Sequence, residues 1–324
     1  MTTPRHMDAL NLADLPPASL TRVLLSIGSD ALSRPIELPI LVAKGRRSGP
    51  TLGLTAALHG NEINGIPVVQ RVLHGMDLQA LKGTVVGVLV SNIPGFLGNR
   101  RLFMDGWDLN HLFPGKEGGH SGQLYAHRLL HQVVSHLDVL VDLHTASAGR
   151  VNSLYVRADM SSPKTRHMAM LLRPQLIVHN PPTDGTLRGA AADLDVPAVT
   201  LEVGNPQRYN KDFIRRSVSG IRAILANQGM LRKRPQAPAP EPILCSQSAW
   251  MYTDVGGLLE ILPELLDIVQ AGDDVAILRN PFGDEIARYQ APHTGVVIGH
   301  SVNPVTTTGG RILHLGVMAP KEEE

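Results

Sequence analysis

Where the apolar segment 54–58 ends, the chain reads His59-Gly60-Asn61-Glu62, an imidazole and a carboxylate three residues apart. If a helix or tight turn starts at Gly60, both side chains turn toward one point, and their nitrogen and oxygen are acceptable zinc donors. By itself the spacing also suits an ordinary helix N-terminus with a favourably placed acid. A second apolar run, Val139-Leu-Val-Asp142-Leu-His144, ends on another imidazole. Two histidines and one glutamate leave the fourth position of a tetrahedral zinc open to water, whereas a lone histidine there would read as a satisfied core residue. Asp142 shares a face with His144, and can orient it, only if the strand continues to His144. Otherwise it is a simple N–H acceptor.

A third run, Val199-Thr-Leu-Glu202-Val-Gly204, leaves Glu202 at the edge of an apolar strand with no cationic neighbour in sequence. Facing an activated water, it can take a proton and pass it to a departing amine; the alternative is an ion pair with an arginine distant in the chain. Between these runs lies a long, glycine-punctuated stretch, 91–115, whose aromatic and aliphatic residues argue for an ordered, functional loop. Its paired Arg100 and Arg101 offer fixed positive charge to an oxyanion or a substrate carboxylate, or pair with Asp105 or Asp108.

Positioning such groups at strand ends is what an α/β domain with a largely parallel sheet does. Short apolar runs predict strands at 36–43, 51–58, 84–91, 139–143 and 198–203, and helical spacing predicts helices at 63–73, 123–137, 163–172 and 211–228. The segment 232–242, RKRPQAPAPEP, carries four prolines and marks a boundary between a domain over 1–232 and a small all-β module over 243–324. The module's strands are expected at 256–259, 275–279, 285–291, 295–299 and 311–316.

The 324 residues carry 30 Lys plus Arg against 29 Asp plus Glu, so no basic surplus points to nucleic acid or an anionic membrane. No apolar run approaches the roughly 18–20 residues that span a bilayer, and the N-terminus lacks a secretory apolar stretch, so a cytoplasmic protein is expected. A single cysteine, Cys245, leaves any metal to His, Asp and Glu.

In this order, HGNE, the Asn92-x-Pro-Gly loop ending in Asp108-Leu-Asn before Phe-Pro-Gly, DLHT and LEVG resemble the succinylglutamate desuccinylase/aspartoacylase family of zinc deacylases, relatives of the zinc carboxypeptidases. The match runs from about Leu54 to Gly204, and Gln270-Ala-Gly-Asp-Asp with Ala291-Pro-His-Thr-Gly-Val-Val looks like the family's barrel-like C-terminal module. The resemblance implies a carboxypeptidase-like mixed, mainly parallel sheet flanked by helices, with one zinc per chain held by His59, Glu62 and His144. It implies Glu202 as the acid/base, Arg101 as the clamp on the carbonyl oxygen with Arg100 as its rival, and a small N-acylated amino acid or amine as substrate.

One position departs from the family. Its members read Asp-Leu-Asn-Arg, whose Asn and Arg hold the substrate carboxylate, but here Asn110 is followed by His111, a weaker and non-bidentate partner. Either another arginine, such as Arg157 or Arg188, replaces it, or the substrate differs. The C-terminal module also looks like lipoyl-type modules, but it has no lysine between Ile243 and Pro320, so it reads as a cap or an oligomer contact. A homo-oligomer is left open, as are a carboxypeptidase-like peptidase and a non-catalytic zinc- or metabolite-binding protein.

Overall fold

The computed structural model describes residues 3–183, 185–233 and 238–320. Strand Arg47–Ala56 lies between strands Lys82–Val88 and Val139–His144, and Val139–His144 in turn lies beside Ala198–Val203; all three pairings are parallel. Alternation along these strands sorts their side chains. Val139, Val141 and Leu143, with Val199, Leu201 and Val203, pack into one apolar cluster against helices Gly65–His74, Pro163–Leu171 and Lys211–Asn227. Leu140 and Ala198 point to the opposite cluster, beside helices Ser121–Gln132 and Leu187–Asp193. By the period of two, Asp142, His144, Thr200 and Glu202 share that second face. Each Leu or Val buried this way stabilises the layer by about 1.5–3 kcal/mol.

The parallel centre extends both ways into one fourteen-stranded sheet among the described residues. Strand Leu154–Ala158 joins Ala198–Val203 antiparallel, Leu176–His179 follows, and then Ile243–Tyr252, which pairs with Leu176–His179 in parallel and with Arg311–Met318 antiparallel. The C-terminal strands thus continue the sheet that carries the α/β layers. A second, four-stranded antiparallel sheet packs against them through an apolar cluster that the two sheets share. The predicted boundary segment 232–242 falls partly outside the described residues.

Most predicted elements are present within a few residues of their expected ends. The sequence reading omits strands Ser19–Ser29, Leu154–Ala158, Leu176–His179 and Ile243–Tyr252 and helix Leu187–Asp193. Two of these strands alternate serine, threonine, arginine or glutamine with apolar residues, so their apolar runs are too broken to stand out. Among the described residues no helix is long and apolar enough to cross a membrane.

Candidate metal centre

Strand ends bring the chemistry together. Register places Ala56 opposite Leu143 and Glu202 opposite His144, so His59, His144 and Glu202 emerge at one edge of the parallel sheet. The turn after Ala56 needs Gly60: a Cβ there would lie 2.0 Å from the Gly95 carbonyl carbon. Asn64 then locks the start of the following helix to the neighbouring strand, its Nδ2 donating to the carbonyls of Val203 and Asn205 at 2.8 and 3.1 Å.

His59, Glu62 and His144 converge with donor atoms all within 4.8 Å of one another, and no other group of three or more such donors is found among the described residues. His144 Nδ1 lies 3.1 Å from both His59 Nδ1 and Glu62 Oε2, and His59 Nδ1 lies 3.0 Å from Glu62 Oε1. Zinc–nitrogen bonds of about 2.0–2.1 Å put tetrahedral ligands about 3.3 Å apart, so this spacing fits a zinc ion. The far side of each ring fits it too. His144 Nε2 donates to Asp142 Oδ2 at 2.7 Å and His59 Nε2 to Asp108 Oδ1 at 3.0 Å, which turns both Nδ1 lone pairs toward the centre. Asp142 is itself held by the Thr55 hydroxyl at 2.6 Å. The strand does run to His144, the condition for Asp142 to act as its orienting partner.

Burial alone would raise the Glu62 carboxyl, but the His59 and His144 imidazoles beside it hold it well below the usual carboxylate range. The Thr145 N–H also donates to it at 3.1 Å. At Asp108, burial is likewise overcome by the hydrogen bond and charge of His59 and by Arg101.

The loop 91–115 is ordered by Phe103, Leu109 and Phe113, all buried. It carries Arg101 onto the centre, where Nη1 donates to Glu62 Oε1 at 2.9 Å and also to the Ser147 hydroxyl, while Nε and Nη2 meet Asp108 at 2.9 and 2.8 Å. The pairing of Arg101 with Asp108 is the one the sequence raised. Arg100 is exposed and lies outside the cavity lining. Asn110 lines the cavity while its Oδ1 accepts from Leu187 N at 2.9 Å, and His111 reaches the rim, two-thirds exposed.

Glu202 is 9% exposed, with Asn152 Nδ2 donating to Oε2 at 3.3 Å and Arg157 Nε 3.7 Å from Oε1. The distant arginine weighed from sequence is therefore present. Burial pushes the Glu202 carboxyl up, against the pull of Arg157 and the imidazoles, which favours a proton acceptor poised above the ordinary range. His59, Glu62, Arg101, Asn110, His111, His144 and Glu202 line one cavity of about 340 Å³, whose wall also includes Arg188, Arg150, Trp250 and Arg311.

Sequence reasoning passes over Asp108 as an anchor for His59, although Asp108 heads the Asp-Leu-Asn motif that signals it. It has no local signal for Arg150, Trp250 and Arg311, which come from three separate strands.

The description "Succinylglutamate desuccinylase/Aspartoacylase catalytic domain" belongs to a family model that matches residues 48–227. The N-alpha-acetyl-L-2,4-diaminobutyric acid deacetylase of Halomonas elongata is 26% identical over 277 residues, covering 81% of this chain and 80% of that protein. Two solved structures share the fold. The product-bound ectoine utilization protein EutE (DoeB) of Ruegeria pomeroyi superposes with a TM-score of 0.83 at 20% identity, over 92% of this chain and 95% of that one. A succinylglutamate desuccinylase from Silicibacter sp. TM1040 gives 0.82 at 22%, over 94% and 98%.

Proposed function

The chain belongs to the succinylglutamate desuccinylase/aspartoacylase family, and from that membership we propose that it is a zinc-dependent deacylase hydrolysing the amide bond of a small N-acylated amino acid or amine. The observation that carries this reading is the register pair His144–Glu202, which sets a buried carboxylate beside three converging metal donors at the floor of one cavity. His59, Glu62 and His144 would hold the zinc, which when bound supplies Lewis acidity to water and to the substrate carbonyl.

The remaining chemistry falls to the chain's own groups. Glu202 accepts a proton from the attacking water and returns it to the departing nitrogen, so that a carboxylic acid and an amine leave. Arg101, already held at the centre by Glu62 and Asp108, places a guanidinium where charge develops on the carbonyl oxygen. Asn110 offers its free amide N–H groups to the substrate, and His111 at the rim contributes a titratable contact in place of a fixed cation. Arg188, buried in the wall, supplies the fixed charge that position 111 lacks. Arg100 has no part in this reading.

The module over 243–324 acts as a cover for the domain over 1–232, which the presence of Trp250 and Arg311 in the cavity wall supports. We place the protein in the cytoplasm, in line with its single cysteine, buried and unpaired. The name of the Halomonas relative puts an N-acetylated amino acid first among substrates to try. Purified, zinc-loaded protein is assayed against N-acetyl-aspartate, N-succinyl-glutamate, N-acetylated basic amino acids and simple acylamines, with a chelator control. Chelator-sensitive release of amine from any member is the expected result; silence across the panel with zinc bound would overturn the reading.

A further inference from the structure

The proposed acid/base carboxylate is held firmly on one side only. Asn152 Nδ2 donates to Glu202 Oε2 at 3.3 Å, but Arg157 Nε stays 3.7 Å from Oε1, longer than a hydrogen bond. A carboxylate that takes up a proton and then returns it has to keep one direction toward the reacting atoms. The neighbouring strand carries the group that can fix it. Leu154–Ala158 runs antiparallel to Ala198–Val203 and sets Tyr155 directly opposite Glu202, so the two side chains stand on one face, their Cβ atoms about 4.5–5.5 Å apart. Both line the metal cavity.

Tyr155 is 1% exposed, and a phenol O–H so deeply buried needs partners. Its oxygen accepts from Arg157 Nη2 at 2.8 Å, and the same guanidinium lies over its ring at 5.3 Å. A guanidinium only donates, so this bond leaves the hydrogen of the hydroxyl unspent. Burial pushes the phenol up, and the Glu202 carboxylate adds to that rise against the pull of Arg157, so the hydroxyl keeps its hydrogen.

The C-terminal strands set both flanks of this arrangement. The Tyr155 ring shares an apolar cluster with Leu176 and Val178, and with Cys245, Val296 and Ile298 from strands Ile243–Tyr252 and Gly295–Ser301. His314, on strand Arg311–Met318, stands edge-on to the ring at 6.3 Å. Asn152 pairs with Gly299 of Gly295–Ser301, where a Cβ would lie 2.3 Å from Asn152 Oδ1.

We propose that Tyr155 is a positioning residue for Glu202. Its oxygen fixes Arg157, its hydrogen goes to the side of the carboxylate that Asn152 leaves open, and the C-terminal strands hold the ring that carries both. The module over 243–324 thereby does more than cover the cavity: it braces the proton-transfer group. The inference deepens the deacylase reading and rests on it for the reaction, though not for the contact between Tyr155 and Glu202.

Y155F removes the hydroxyl and keeps the packed ring. In zinc-loaded protein kcat should fall about tenfold or more, the loss expected for a hydrogen bond to a charged group, with KM and zinc content unchanged. A kcat within about twofold of the parent, or a loss that comes with a raised KM or with lost zinc, overturns the positioning role. Denaturant unfolding reads the contact without turnover. Y155F should lower the midpoint in the parent and hardly move it in an E202A background, where the partner is already gone; equal shifts in both backgrounds overturn the contact. A parent protein silent on every amide while this coupling holds would remove the deacylase reading and leave the Tyr155–Glu202 contact standing.

Discussion

His144 and Glu202 are direct partners across two adjacent parallel strands, one an imidazole turned to the metal donors and the other a buried carboxylate on the same face. A one-residue slip of either strand would send its group into the apolar layer that holds Leu143 and Val203. The pairing register is therefore part of the geometry of the candidate site, and the two proposed roles can be separated by experiment.

E202Q should retain zinc and its fold while kcat falls roughly 10²–10⁴-fold, the usual contribution of a general acid/base. H144A should lose zinc as well as activity. Metal content by atomic spectroscopy beside turnover checks the split, and full zinc occupancy in H144A would remove His144 from the ligand set.

Asp142 acts through His144, to which it is bonded at 2.7 Å, and through Thr55. D142N should weaken zinc binding about 10–100-fold with the ligands unchanged. Competition with a chromogenic chelator measures it; an unaltered affinity would leave Asp142 with a purely structural part.

The acid limb of kcat/KM should report Glu202, which must be ionised to accept a proton. Burial raises its pKa and Arg157 lowers it, so R157M takes away a stabilising charge and the pKa climbs further. Activity, lost as pH falls through that pKa, should then fade at a higher pH than in the parent protein. A limb that stays put or moves down contradicts the Arg157–Glu202 coupling.

Asn64 satisfies the carbonyls of Val203 and Asn205 in a fully buried position. N64A should destabilise the fold by about 1–3 kcal/mol for each buried group left unpaired, seen as a lower denaturant midpoint at an unchanged slope.

Much of the centre is legible in the chain because His59 and His144 each follow an apolar run, Glu62 stands three residues beyond His59 and Glu202 sits near the end of a third run, and a polar group at the end of a buried strand is a local signal. Asp108 and Arg101 stand in a loop rich in apolar anchors, so their presence near the site is legible too, although the choice between Arg100 and Arg101 is not: both are arginines one residue apart, and only the path of the loop turns Arg101 inward. Strand Ile243–Tyr252 escapes because its polar positions interrupt the apolar run, and with it the attachment of the C-terminal strands to the main sheet.

From the sequence alone follow the α/β class, the donor types, and the order of the motifs, since these depend on the composition and period of short segments. The tertiary structure alone decides that Arg150, Trp250 and Arg311 meet beside the metal donors. They lie up to 161 positions apart and are joined only by antiparallel pairing and ring stacking. No local spacing encodes such contacts, because the free energy that forms them comes from burying surfaces that are assembled only once the whole sheet has closed.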